Sequence, residues 1–80
     1  MNLLLAIVVS ILSYGAIPND TTVNNAKAIN CAIIHCADNG GGVVEVPDGI
    51  FTTGTVFLRS GVTLRLSKGA VLLGSKCLSD

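Results

Sequence analysis

The chain has 80 residues, half of them hydrophobic, with three aromatics (Tyr14, Phe51, Phe57) and no Trp. A domain this small buries a low fraction of its surface, so it needs a staple, a partner or more chain, and an aliphatic core suits repetitive stacking better than a compact globule. Five acidic and five basic residues cancel, which excludes the strong field that would gather nucleic acid or an anionic membrane surface.

Residues 1–13 contain the apolar run Leu3 to Val9 followed by Ile11 and Leu12. That run is too short to span a bilayer. It has the apolar stretch of a secretion signal but no Lys or Arg before it, and a cut near Ser13 or Ala16 would remove residues that also read as a strand. Apolar leader and first strand both stay open. Residues 14–80 form the second unit, beginning with Gly15 and the turn-rich stretch Ile17-Pro18-Asn19-Asp20-Thr21-Thr22.

From about Val23 to Asp38, Ala26, Ile29, Ile33 and Cys36 recur at three- and four-residue spacing, with Ala32 and Ala37 beside them. This predicts a helix with one apolar stripe, and Thr22 or Asn24 can cap its start. Lys27, Asn30 and Asp38 fall off the stripe, and Asn39-Gly40 supplies residues that tolerate the left-handed conformation of a helix end. Such a one-sided helix has to cover something. Cys31 and Cys36 would point about 140° apart on it, which disfavours a bond between them. With Cys77 the count is odd and no metal-ligand spacing is present, so all three are read as free thiols, with a single bridge to Cys77 or to further chain as the alternative.

Beyond Gly42 the period drops to two, and glycines at 49, 54, 61, 69 and 74 separate Val43–Val46, Ile50–Thr53, Thr55–Leu58, Val62–Leu66 and Val71–Leu73. These read as short strands. In Val62-Thr63-Leu64-Arg65-Leu66 the apolar residues face one way and Thr63 and Arg65 the other, as on a half-buried sheet. Asp48-Gly49 is the one strong hairpin signal, and Pro47 precedes it. Strand pairs about twenty residues apart fit a solenoid of stacked coils instead, with the helix covering its open end. The fold class expected is all-β, a right-handed, single-stranded parallel β-helix: its N-terminal coils under an amphipathic capping helix, with further coils beyond Asp80.

Tyr14-Gly15-Ala16, Asn24-Asn25-Ala26-Lys27-Ala28-Ile29-Asn30 and Gly40-Gly41-Gly42-Val43-Val44-Glu45-Val46-Pro47-Asp48-Gly49 resemble the opening of glycoside hydrolase family 28, the polygalacturonases and their relatives. Thr53-Gly54-Thr55-Val56-Phe57-Leu58-Arg59-Ser60 and Val62 to Ser75 are similar to the family's following coil, in order and spacing. The likeness runs from about Ile11 to Ser75. The loop Ile17 to Val23 departs from it by lacking the family's frequent Gly-Asp-Gly, and His35 and Cys36 are unusual on the helix.

The resemblance implies a secreted or cell-surface enzyme that hydrolyses glycosidic bonds of pectic polysaccharide through clustered aspartates on later coils. The family's Asn-x-Asp, paired Asp, Gly-His-Gly and Arg-x-Lys signatures do not occur in these 80 residues; Arg65-Leu66-Ser67-Lys68 has the wrong spacing. No catalytic, cofactor-binding or metal-binding residue is therefore assigned, no cofactor is expected, and the segment alone is expected to be inactive. Two other readings fit a chain of this build: a β-helical polysaccharide lyase, which needs calcium-binding carboxylates, and a tailspike or adhesin that grips sugar without cleaving it. A truncated product that never folds stably is a further reading.

Each residue type that could carry chemistry also has a plainer role here. Glu45 and Asp48 are the close acidic pair, and inverting glycoside hydrolysis needs two carboxylates roughly 6.5 to 9.5 Å apart; a solvated strand residue and a turn former describe them better. His35 lies near the helix C-terminus with no partnering carboxylate and reads as a surface or capping residue. Gly40 to Gly42 precede a strand and lack the Gly-Lys-Ser/Thr ending of a phosphate loop. Asn19-Asp20-Thr21 is a formal glycosylation triplet but reads as a turn. Arg59, Arg65, Lys68 and Lys76 could present a basic strip to an acidic sugar polymer, and read instead as solvated surface.

Overall fold

The computed structural model describes residues 7–74; Lys76 and Cys77 lie outside them. Strand β1 (Ile7–Ser10) runs into a single 3-10 turn (Ile11–Tyr14), and a long connection leads to helix α1 (Ala26–Asp38). Four strands follow: β2 (Gly42–Val46), β3 (Gly49–Thr53), β4 (Val62–Leu66) and β5 (Ala70–Gly74). Every pairing is parallel. One sheet has the order β1-β2-β4 and the other pairs β3 with β5.

The register shows why the chain repeats. Gly42 pairs with Val62 and Gly49 with Ala70, so strands stack on neighbours 20 and 21 residues along. Because side chains alternate, this spacing keeps inward residues above inward residues: Val9, Val44 and Leu64 form one column, and Phe51 stands on Leu72. Hairpins play no part. Asp48-Gly49 turns a corner between two sheets, where Asn19 bonds Ile50 and the Gly49 amide donates to the Gly69 carbonyl at 3.1 Å.

Helix α1 begins three residues later than its periodicity predicts, because the chain before it is used differently. Asn25 occupies the N-cap position without a side-chain cap bond. Asn24 does the capping from one residue upstream, its Oδ1 accepting the Ala26 amide at 2.9 Å, while Thr22 closes a turn with Asp20. The expected stripe is inside: Ile29, Ala32, Ile33 and Cys36 are fully buried with Ile11, Val44, Val46 and Phe51. Burial of each such aliphatic side chain stabilises by about 1.5–3 kcal/mol, which is how a helix of this length holds its place on the strands.

One expected strand is absent. Thr55–Leu58 enters neither sheet, and the partner of β5 is β3, not this segment. Asn30, expected on the solvent side of the helix, is half-buried and holds the segment instead: its Nδ2 donates to the Thr55 carbonyl at 2.9 Å and its Oδ1 accepts the Phe57 amide at 2.8 Å.

Glycine is required where strands meet. Gly41 and Gly42 have φ of +97° and +150°, and a Cβ on Gly41 would lie 2.5 Å from the Gly61 carbonyl oxygen. A Cβ on Gly42 would run into the Ile7 backbone, so these two glycines permit close stacking of successive strands.

Candidate functional site

Glu45, Asp48 and His35 each have a structural partner. Glu45 sits on the outer face of β2 and forms an ion pair with Arg65 on β4, one coil along. Both are well exposed, at 39% and 56%, so the pair is worth about 0–1 kcal/mol. Asp48 accepts the Gly69 amide at 3.2 Å and fastens the corner before β3 to the corner before β5. The two carboxylates serve two separate coil-to-coil contacts.

His35 meets Tyr14 across the helix and the 3-10 turn: the Tyr14 hydroxyl and His35 Nδ1 are hydrogen-bonded, with ring centroids 5.8 Å apart and planes tilted by 59°. It clasps two elements. Gly41 and Gly42 fill the role described above, with the Gly42 amide donating to the Gly61 carbonyl at 3.0 Å, while Gly40 has open space beside it. The basic strip is interrupted, since Arg65 is engaged by Glu45, while Arg59 and Lys68 stand exposed on different connections. Cys31 is exposed and Cys36 buried, both free.

Asn19 adopts a left-handed conformation, φ +61°. Its amide donates to the Ile50 carbonyl at 2.6 Å, and its Oδ1 accepts the Ile50 amide at 3.0 Å. Asp20 accepts the Thr22 hydroxyl at 2.5 Å and the Thr22 amide at 2.9 Å; the hydroxyl first, then the amide, hold its carboxyl below the usual carboxylate range against a small opposing desolvation. The Asn-Asp-Thr triplet is thus a built turn docked on β3.

Asn24 was offered as a cap and is one; what sequence reasoning missed is that the asparagines also fasten distant backbone. Asn25 is 2% exposed. Its Oδ1 accepts the Ile17 amide at 2.8 Å, and its Nδ2 donates to the carbonyls of Ile17 at 3.1 Å and Thr52 at 3.0 Å. The Gly54 amide donates to Asn24 Oδ1 at 2.9 Å. Asn19, Asn24, Asn25 and Asn30 together bond the backbone of β3 and the residues after it. Among the described residues, no group of three or more His, Cys, Asp or Glu side chains is placed to hold a metal ion, and no helix is long and apolar enough to cross a membrane.

Stacked parallel strands under a single helix, with polar side chains used for coil-to-coil fastening, define a class of coiled, repeat-built β proteins. No protein-family model matches the chain. The exo-poly-α-D-galacturonosidase of Dickeya chrysanthemi is 44% identical over 73 residues, which is 91% of this chain and 12% of that protein. The solved family 28 exopolygalacturonase of Yersinia enterocolitica superposes with a TM-score of 0.77 at 43% identity, over 85% of this chain and 12% of the other. The A-module of the mannuronan C-5 epimerase AlgE4 from Azotobacter vinelandii gives a TM-score of 0.74 at 23% identity, over 80% and 20%, a likeness of fold alone. The chain is a homologue of the family 28 exopolygalacturonases, matching 12% of the length of each.

Proposed function

We propose that this chain is a segment of a pectin-degrading glycoside hydrolase, supplying the helix-covered coils on which catalytic coils stack. The 44% identity to an exo-poly-α-D-galacturonosidase over nine-tenths of the chain carries this reading. The segment's part in the reaction is to close and brace a cylinder whose later rungs hold the carboxylates.

The same reading makes the architecture a right-handed parallel β-helix, with Ile7–Ser10 as the strand of its first coil, and places the protein outside the cell or at its surface, where pectic polymers are met. Polygalacturonate is the substrate class. The test is product analysis of the longer protein encoded by the same reading frame. Release of saturated galacturonate with new reducing ends is expected; unsaturated products that vanish with a calcium chelator would replace hydrolysis by lyase chemistry.

A further inference from the structure

Helix α1 ends at Asn39-Gly40, and Asn39 is the only asparagine in the sequence followed by glycine. In such a dipeptide the backbone nitrogen of the glycine can reach the side-chain carbonyl carbon of the asparagine, because no Cβ stands in the way, and asparagine is among the thermolabile residues. Gly40 has φ +92°, and a Cβ on it would meet nothing within 4 Å, so no neighbouring element blocks that approach. Both residues are open to water.

The cap of the helix restrains the two groups that would react. Asn39 Nδ2, the leaving nitrogen, donates to the His35 carbonyl at 2.8 Å, which draws the side chain back along the helix. The Gly40 amide, the attacking nitrogen, donates to the Ala37 carbonyl at 3.1 Å. Both acceptors belong to the last turn of α1, so both bonds are lost together when that turn frays.

We propose that Asn39 is a site of spontaneous deamidation gated by the helix end: its amide persists while the last turn is wound and is converted when the turn opens. The Gly40 nitrogen gives its proton to water and attacks Asn39 Cγ. A Cγ–N bond forms, the Cγ–Nδ2 bond breaks, and ammonia leaves, the departing nitrogen taking up a proton. A second water then opens the cyclic imide at either carbonyl, giving aspartate or, with the main chain routed through the side chain, isoaspartate. Neither product restores the cap. A carboxylate has no N–H for the His35 carbonyl, and it sets negative charge at the negative end of the helix dipole. Isoaspartate also adds a methylene to the backbone just ahead of Gly41 and Gly42, whose amides bond the Cys36 carbonyl at 2.9 Å and the Gly61 carbonyl at 3.0 Å. A turn that reacts while open is therefore not recapped.

The test is to age the purified chain in neutral buffer, with and without urea. Mass spectrometry of the peptide carrying Asn39 follows the conversion, and enzymatic methylation detects isoaspartate. Asn39 is expected to convert ahead of every other asparagine, and about tenfold faster in urea, the factor set by losing two neutral hydrogen bonds. Ala37→Gly loosens the last turn and should raise the rate in buffer about two- to fivefold, while Asp38→Lys suits the helix C-terminus and should lower it about twofold, each relative to the same variant in urea. Asn39→Asp, the product itself, should show faster hydrogen exchange at the Gly40 and Gly41 amides than the parent. Equal rates in buffer and urea, parent-like ageing of both helix-end variants, or conversion of another asparagine first overturns the proposal. Parent-like exchange in Asn39→Asp overturns the lost cap.

Discussion

Asn25 is a buried amide whose three side-chain hydrogen bonds join three pieces of chain. Asn25→Ala strips the Ile17 amide and carbonyl of their partner, and an unsatisfied buried group costs about 1–3 kcal/mol; urea denaturation should show a loss of about 2–4 kcal/mol. Asn25→Asp is sharper. It keeps the acceptor for Ile17 but turns the donor into an oxygen facing two carbonyls, so its folded-state pKa is raised and stability should recover as pH falls. Asp20 has the opposite sign: its depressed pKa contributes stability above the ordinary carboxylate range that is lost as pH falls through the folded value, and Asp20→Asn should blunt that part of the acid sensitivity. Thr52 offers a gain, because its hydroxyl is buried and without a partner among the described residues. Thr52→Val keeps the β-branched shape and should raise the thermal midpoint. The turn at Asp20 was legible in the sequence, but the tertiary bonds were not, because Asn beside Asp or Thr signals turns and caps equally well. The amide's distant partner, Ile50, Thr52 or Thr55, is set by tertiary stacking and leaves no local pattern.

Elements were more readable than residues, because periodicity reports burial directly. Val62–Leu66 was expected from its alternation and is observed with those bounds. The helix stripe is likewise where the spacing put it. The failures have one cause: residues that fasten to other elements do not follow their own element's period. Val23 to Asn25 read as helix but serve the turn and β3. Thr55–Leu58 reads as strand but takes its partner from the Asn30 side chain. Asn30→Ala should therefore act on this connection first, with faster hydrogen exchange at the Phe57 amide and a loss of about 1–2 kcal/mol by denaturation, α1 retaining its protection. Ile33→Ala cuts into the helix-to-strand core itself and should cost about 2–5 kcal/mol, lowering protection across α1 and β2 together.

At the scale of the molecule, stability depends on how many rungs each rung touches. β2 is paired on both sides, whereas β4 and β5 are the last strands of their sheets among the described residues. Leu66, Val71 and Leu73 on them are 41–46% exposed. The twenty-residue period and the helix above the first rungs made a stacked architecture legible in advance, because a repeat is a property of the whole sequence. In such an array energies are mostly nearest-neighbour terms, so an edge rung lacks about half its interface and opens before the rungs behind it. Hydrogen exchange on the 80-residue chain should accordingly rise from β2 to β4, with β5 faster than β3. Unpaired parallel edges flanked by apolar side chains also invite pairing between chains, so sedimentation should show concentration-dependent association. Leu66→Lys and Leu73→Lys place charge on the exposed edge and should suppress that association. A chain that stays monomeric at high concentration, with β4 as protected as β2, would mean that the edge is already covered and that the isolated segment is a finished fold.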